Sequence, residues 1–180
     1  VTDMLDRLIF LFSFVENPDG HYENKREHPS TGLDLNRDHG YQVLPETQNM
    51  VALLNKWDPV SFFDVHGFMN PSLIEPGTKP HDKNFEADLL YPQLLGQAKA
   101  IGNALKHNSD YDFMIPAEEW EDGWDDAFSG YTGVYALYQG IFGHTFEIPE
   151  MNEATYHASL HGVLGGLTYV YENLEDLLLA

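Results

Sequence analysis

The sequence predicts an α/β fold in which helices flank a mostly parallel sheet. Helix-patterned stretches alternate with short apolar runs along the chain. One of those runs, Leu8–Val15, is continuous rather than alternating, as a strand covered on both faces should be, and Val60–Val65 reads as a second buried strand. Polar residues suited to chemistry follow or end the strands, at Asn17–Gly20, His66 and Glu147. Ligand sites of open parallel sheets gather at such strand ends.

Taken in order, Thr2–Arg7 reads as the end of a helix. Leu8–Val15 is an aromatic-rich run of strand length and is expected to be a buried strand. Asn17-Pro18-Asp19-Gly20 is a strong turn signal, and the polar residues 21–44 read as a long surface loop. Pro45-Glu46 opens a helix to about Lys56, because proline suits a first helical turn and a carboxylate complements the dipole there. Val60–Val65 is the second strand, and residues 68–84, broken by Pro71, Pro76, Gly77 and Pro80, read as loop. A helix is expected from about Phe85 to Lys106, irregular near Pro92. Asp110–Gly133 is rich in Trp, Tyr, Asp and Gly, and Val134–Gln139 fits either strand or helix. Thr145–Ile148 is a short strand, and Met151–Leu179 is mostly helix.

Composition narrows the function. The chain has 180 residues, which suits one domain. Nine Lys+Arg face 29 Asp+Glu, a net charge of −20, so nucleic-acid phosphates and anionic membranes are poor partners. There is no cysteine, which removes disulfide scaffolds, thiolate zinc sites and cysteine nucleophiles and leaves the compartment open. No apolar run is long enough to span a membrane, and Asp3 and Asp6 argue against a secretory leader. Because the chain opens on Val1 and enters structure at once, it is expected to be a processed product or an excised piece.

Three groups of residues are suited to chemistry. Glu147 ends an apolar strand, where a carboxylate must be paired or used; partial burial would tune it toward general-base work. A helix cap or salt bridge is the plain alternative. His66 follows a strand directly, and Asp64, two residues earlier, shares its face and is placed to orient the imidazole. The alternative is a polar residue merely satisfied at a strand end. Arg26 and the pair Asn36-Arg37 lie in one loop of a chain poor in cations, and a guanidinium fork suits an anionic group. Surface salt bridges to the surplus acids explain them equally well.

Other patterns weigh less. His144-Thr145-Phe146-Glu147 spells His-x-x-Glu, but on a strand its ends face opposite sides. His157 and His161 share a helix face without a glutamate between them. The acidic run Trp120–Asp126 does not match a calcium loop and reads as a loop over a cleft or a solvated one.

In order, Asn17-Pro18-Asp19-Gly20, Arg26, Asp34-Leu35-Asn36-Arg37-Asp38, Pro45-Glu46, Asp64-Val65-His66-Gly67 and Thr145-Phe146-Glu147 resemble the zinc carboxypeptidase family of metallopeptidases, in its bacterial form. The resemblance implies a three-layer α/β/α fold with a mostly parallel mixed sheet. It also implies that residues 1–180 are the C-terminal part of a catalytic domain. It makes His66 a zinc ligand and Glu147 the general base that activates water. Arg26 would polarise the scissile carbonyl, while Asn36 and Arg37 would grip the C-terminal carboxylate of a peptide. Tyr131, with Tyr135 as the alternative, would be the mobile tyrosine that covers the substrate. The family's upstream His-x-x-Glu motif, which supplies two more ligands for its one zinc ion, has no counterpart here. Secretion, common in the family, is compatible with the lack of cysteine. Two other functions remain: a metal-free module that binds peptide C-termini, and a related zinc deacylase or cell-wall peptide amidase. An uncovered sheet edge would favour self-association.

Overall fold

The computed structural model describes residues 2–75, 87–116 and 128–180. The run Trp120–Asp126 and the start of the helix expected at Phe85 lie outside them.

A 3-10 turn, Thr2–Asp6, precedes α1, Pro18–Glu23. The expected turn at Asn17–Gly20 is therefore the start of a helix: Asn17 Oδ1 accepts the Gly20 N–H at 2.9 Å, and Pro18 occupies the first turn. A second 3-10 turn, Leu35–Arg37, leads to α2, Pro45–Trp57, where Pro45 and Glu46 open the helix as expected. Then come β1, Ser61–Gly67; β2, Ser72–Glu75; α3, Ala87–His107; and β3, Phe113–Met114. The chain continues through α4, Thr132–Tyr138; β4, Phe142–Ile148; α5, Glu153–Glu172; and α6, Leu174–Leu179.

The sheet has the order β1-β4-β2-β3. β1 runs parallel to β4, and β2 runs parallel to β3 but antiparallel to β4. The result is the mostly parallel mixed sheet expected, with helices on both faces. Alternation along the strands assigns the faces. Phe62, two residues from Asp64 and four from His66, packs with Met50 and Leu54 of α2 and Ala136 of α4. Phe63 and Phe146 point the other way, among Ala98 and Ile101 of α3 and Ala158 of α5. No described helix is long and apolar enough to cross a membrane.

Two expectations are corrected and one open choice is decided. Leu8–Val15 is not a strand: the segment pairs with no strand among the described residues, and Ile9 and Phe14 are 80% and 90% exposed. Apolar character alone does not make a strand, which also needs its backbone groups paired with a neighbour. Ser72–Glu75, read as loop, is β2 inside the sheet; its flanking prolines masked a four-residue strand. Val134–Gln139 falls on α4 and its cap, not on a strand.

Candidate active site

His66 and Glu147 stand side by side at the carboxyl ends of two parallel strands, because the β1–β4 register pairs His66 with Glu147 and Asp64 with Thr145. The imidazole lies between two acids. Its Nε2 is 2.8 Å from Asp64 Oδ2, and its Nδ1 is 3.6 Å from Glu147 Oε1. Burial works against a charged ring, yet bonding to Asp64 and Glu147 and their negative charge outweigh it and raise the pKa to about 10. With Nε2 held by Asp64, Nδ1 is the nitrogen left facing the Glu147 side.

The arginine loop is built around Asp34. Arg26 donates through Nε and Nη2 to Asp34 Oδ2 at 3.0 and 2.8 Å. Asp34 Oδ1 accepts the Asn36 N–H at 3.0 Å, capping the 3-10 turn, and Arg37 Nη1 lies 3.9 Å from Asp34 Oδ2. One carboxylate thus keeps both guanidinium groups within reach of each other. Asn17 Nδ2 donates to the Arg26 carbonyl at 3.0 Å, so the capping asparagine of α1 also fixes the arginine's backbone. Arg37 stacks on the Tyr131 ring at 4.5 Å from its centroid and donates to the Asn36 carbonyl at 2.7 Å. Tyr131 precedes the first turn of α4 and meets Phe128 edge-on at 5.2 Å. Tyr135 lies one turn on, its ring 6.3 Å from that of His39.

Behind the loop is a polar layer that sequence reasoning missed. Asn36 Oδ1 accepts from both the backbone N–H and the hydroxyl of Thr132, at 2.8 and 3.1 Å. His39 is fully buried, with Nδ1 3.3 Å from the Gly130 carbonyl and Nε2 2.9 Å from Glu16 Oε1. Gly130 permits the close packing, since a Cβ there would stand 2.6 Å from the Arg37 carbonyl. Asp38 accepts from the Val43 and Leu44 backbone N–H groups and from Thr47 Oγ1. Burial alone would raise its pKa, but these bonds lower it and tie the loop to the start of α2. The partners of this layer are far apart in sequence, Asn36 and Thr132 by 96 positions, so no local pattern announces them.

The two groups share one face of the sheet. A Cβ on Gly133, beside Thr132, would lie 3.0 Å from Thr145 Oγ1. Thr145 and Glu147 alternate onto the same side of β4. The Asn36–Thr132 contact and the His66–Glu147 pair therefore meet β4 on its α4 side.

The histidines of the other two sequence patterns lie elsewhere. His144 is fully buried on the opposite face, where Nε2 donates to the Leu94 carbonyl at 3.0 Å. Burial lowers its pKa to about 4, despite its contacts with the carbonyls of Leu94 and Phe142. His144 and Glu147 thus point away from each other. His157 is an exposed side chain on α5, 3.9 Å from Glu153.

The donor set does not complete a zinc centre. Among the described residues no three His, Cys, Asp or Glu are grouped to hold a metal. His66 is one imidazole, whereas a catalytic zinc takes about three protein ligands.

No family model and no curated protein matches the sequence. Solved structures do match the fold. A metallo-carboxypeptidase from Burkholderia cenocepacia superposes with a TM-score of 0.62 at 18% identity, over 89% of this chain and 44% of that one. A protein assigned as a carboxypeptidase from Burkholderia mallei ATCC 23344 gives 0.61 at 18% identity, over 92% of this chain and 44% of that one. One assigned as a carboxypeptidase A from Shewanella denitrificans OS-217 gives 0.63 at 19% identity, over 89% and 45%. The chain thus has a carboxypeptidase-like fold and spans less than half the length of each of these structures.

Proposed function

We propose that these residues belong to a metallocarboxypeptidase that cleaves the C-terminal peptide bond of peptides. The observation that carries the reading is the placement of His66, Glu147 and the Asn36–Arg37 pair on one face of the sheet, with the first two at its strand ends. In this reading Arg37 and the Asn36 carboxamide hold the substrate's terminal carboxylate by charge-assisted hydrogen bonds. Arg26, whose Nε edge is committed to Asp34, turns its remaining N–H groups to the carbonyl oxygen. Glu147 takes the proton of the attacking water and returns it to the leaving amine. His66 contributes a single imidazole nitrogen, so the other ligands of a zinc ion lie beyond the described residues.

The test has two parts. Zinc content is measured after loading and gel filtration, and hydrolysis of an N-acyl dipeptide is followed with and without a chelator. Chelator-sensitive cleavage that falls about 100- to 10,000-fold in Glu147→Gln supports the reading. Zinc-loaded protein that cleaves no peptide with a free carboxylate overturns it.

A second reading is a metal-free module that binds peptide C-termini. The pairing of His66 with two carboxylates favours it, because each ring nitrogen already has an acidic oxygen nearby, at 2.8 and 3.6 Å. Tight binding of a peptide acid to protein stripped of zinc, without cleavage, selects this reading.

A further inference from the structure

The Asn36 side chain has a fixed orientation, and its cause lies outside the arginine loop. The Thr132 backbone N–H is a donor and nothing else, so the Asn36 atom 2.8 Å away is the carboxamide oxygen. The Thr132 hydroxyl reaches the same oxygen at 3.1 Å. With Oδ1 saturated, Nδ2 is left with both its hydrogens and makes no hydrogen bond among the described residues. Thr132 is itself locked: it is 1% exposed, and its hydroxyl lies 3.4 Å from His39 Nδ1. His39 in turn is braced by Glu16 and the Gly130 carbonyl.

We propose that Thr132 is a positioning residue that turns the Asn36 carboxamide donor-first, so that this corner of the site selects a carboxylate over a neutral amide. The inference rests on the carboxylate-binding reading above and deepens it. A freely rotating Asn36 would accept an amide N–H as readily as it donates to a carboxylate. Held by Thr132, it offers hydrogens only, beside the guanidinium of Arg37. An amide ligand then leaves its own N–H groups without an acceptor, which costs more than losing one attraction.

The experiment is calorimetric titration of the chain with an N-acyl dipeptide and with its C-terminal amide, paired with the side-chain amide signals of Asn36 in a nitrogen-15 spectrum. Wild type is expected to prefer the acid. Thr132→Val, which keeps the volume and the backbone donor, should lower that preference about fivefold and shift and broaden the Asn36 NH2 pair. Thr132→Ser should restore both. Asn36→Asp still satisfies the Thr132 donors but presents an anion outward, so it should reverse the preference without disturbing the buried layer. An unchanged preference and unchanged Asn36 signals in Thr132→Val would overturn the inference while leaving the carboxylate site intact. Wild type binding acid and amide equally would instead remove the carboxylate reading. The Asn36 signals then still judge Thr132: unmoved by valine, they overturn its role.

Discussion

At the scale of single residues, the candidate site separates groups that touch a ligand from groups that hold them. Arg37 touches. Its guanidinium is half exposed, stacked on Tyr131 and within 3.9 Å of Asp34. Arg37→Ala is expected to weaken binding of a peptide acid about tenfold, the lower end for a charge-assisted bond because water screens this group. The peptide amide should lose far less, and calorimetry with both ligands measures the difference. Arg37→Lys should recover little, because an ammonium neither stacks on Tyr131 as a plane nor forks to a carboxylate. His144 is a residue of the opposite kind, buried and unused. Its pKa falls from 6.5 to about 4 on folding. The unfolded chain therefore binds the extra proton between those values, and stability drops as pH falls through that window. The loss is on the order of 3 kcal/mol at full development. Denaturant titrations at pH 7.5 and 5 should show a smaller acid loss in His144→Gln than in wild type. Residues that suggest a chemistry by type and neighbours, such as His66, Glu147 and Arg37, could be singled out in the sequence. Thr132, His39 and Glu16 could not, because a threonine or glutamate gains meaning only from a partner that the fold delivers.

At the scale of elements, legibility followed length and context. α2 and β1 carried their own signals: a proline-glutamate start in one, a short stretch rich in aromatic and branched residues in the other. β2 has only four residues between prolines, and what makes it a strand is β4 and β3 on either side. Leu8–Val15 failed in the reverse sense, with the composition of a strand and no strand pairing among the described residues. The α3–α5 contact was equally invisible, since it depends on small residues meeting. A Cβ on Gly165 would stand 2.4 Å from Ala104 Cβ and 2.6 Å from the Ala100 carbonyl. Gly165→Ala improves helix propensity by about 1 kcal/mol, but the forced separation of two packed helices costs about 1–3 kcal/mol. The backbone carbonyl cannot move aside as a flexible side chain would, so the packing cost should win. A lower urea midpoint at unchanged slope is the expected result, and an unchanged or higher midpoint would show that the helices separate freely.

At the scale of the whole molecule, two forces oppose each other. β1 is an edge of the described sheet, and Ile9, Phe12 and Phe14 of the Leu8–Val15 segment stand largely exposed. Unpaired strand edges and exposed apolar side chains favour association. The net charge of −20 resists it, because every encounter brings two strongly negative bodies together. Salt decides the balance. Charge repulsion is screened within about 10 Å at 0.1 M ionic strength and within about 3 Å at 1 M, whereas apolar attraction is not weakened by sodium chloride. The chain is therefore expected to sediment as a monomer at low salt and to gain mass with concentration as salt rises. Phe14→Asp, which adds a charge and removes the most exposed phenylalanine among the described residues, should suppress the high-salt species and leave the low-salt behaviour as it was. Association strongest at low salt would point instead to ion pairing between chains, and a monomer under every condition would mean that the Leu8–Val15 segment is not an adhesive surface.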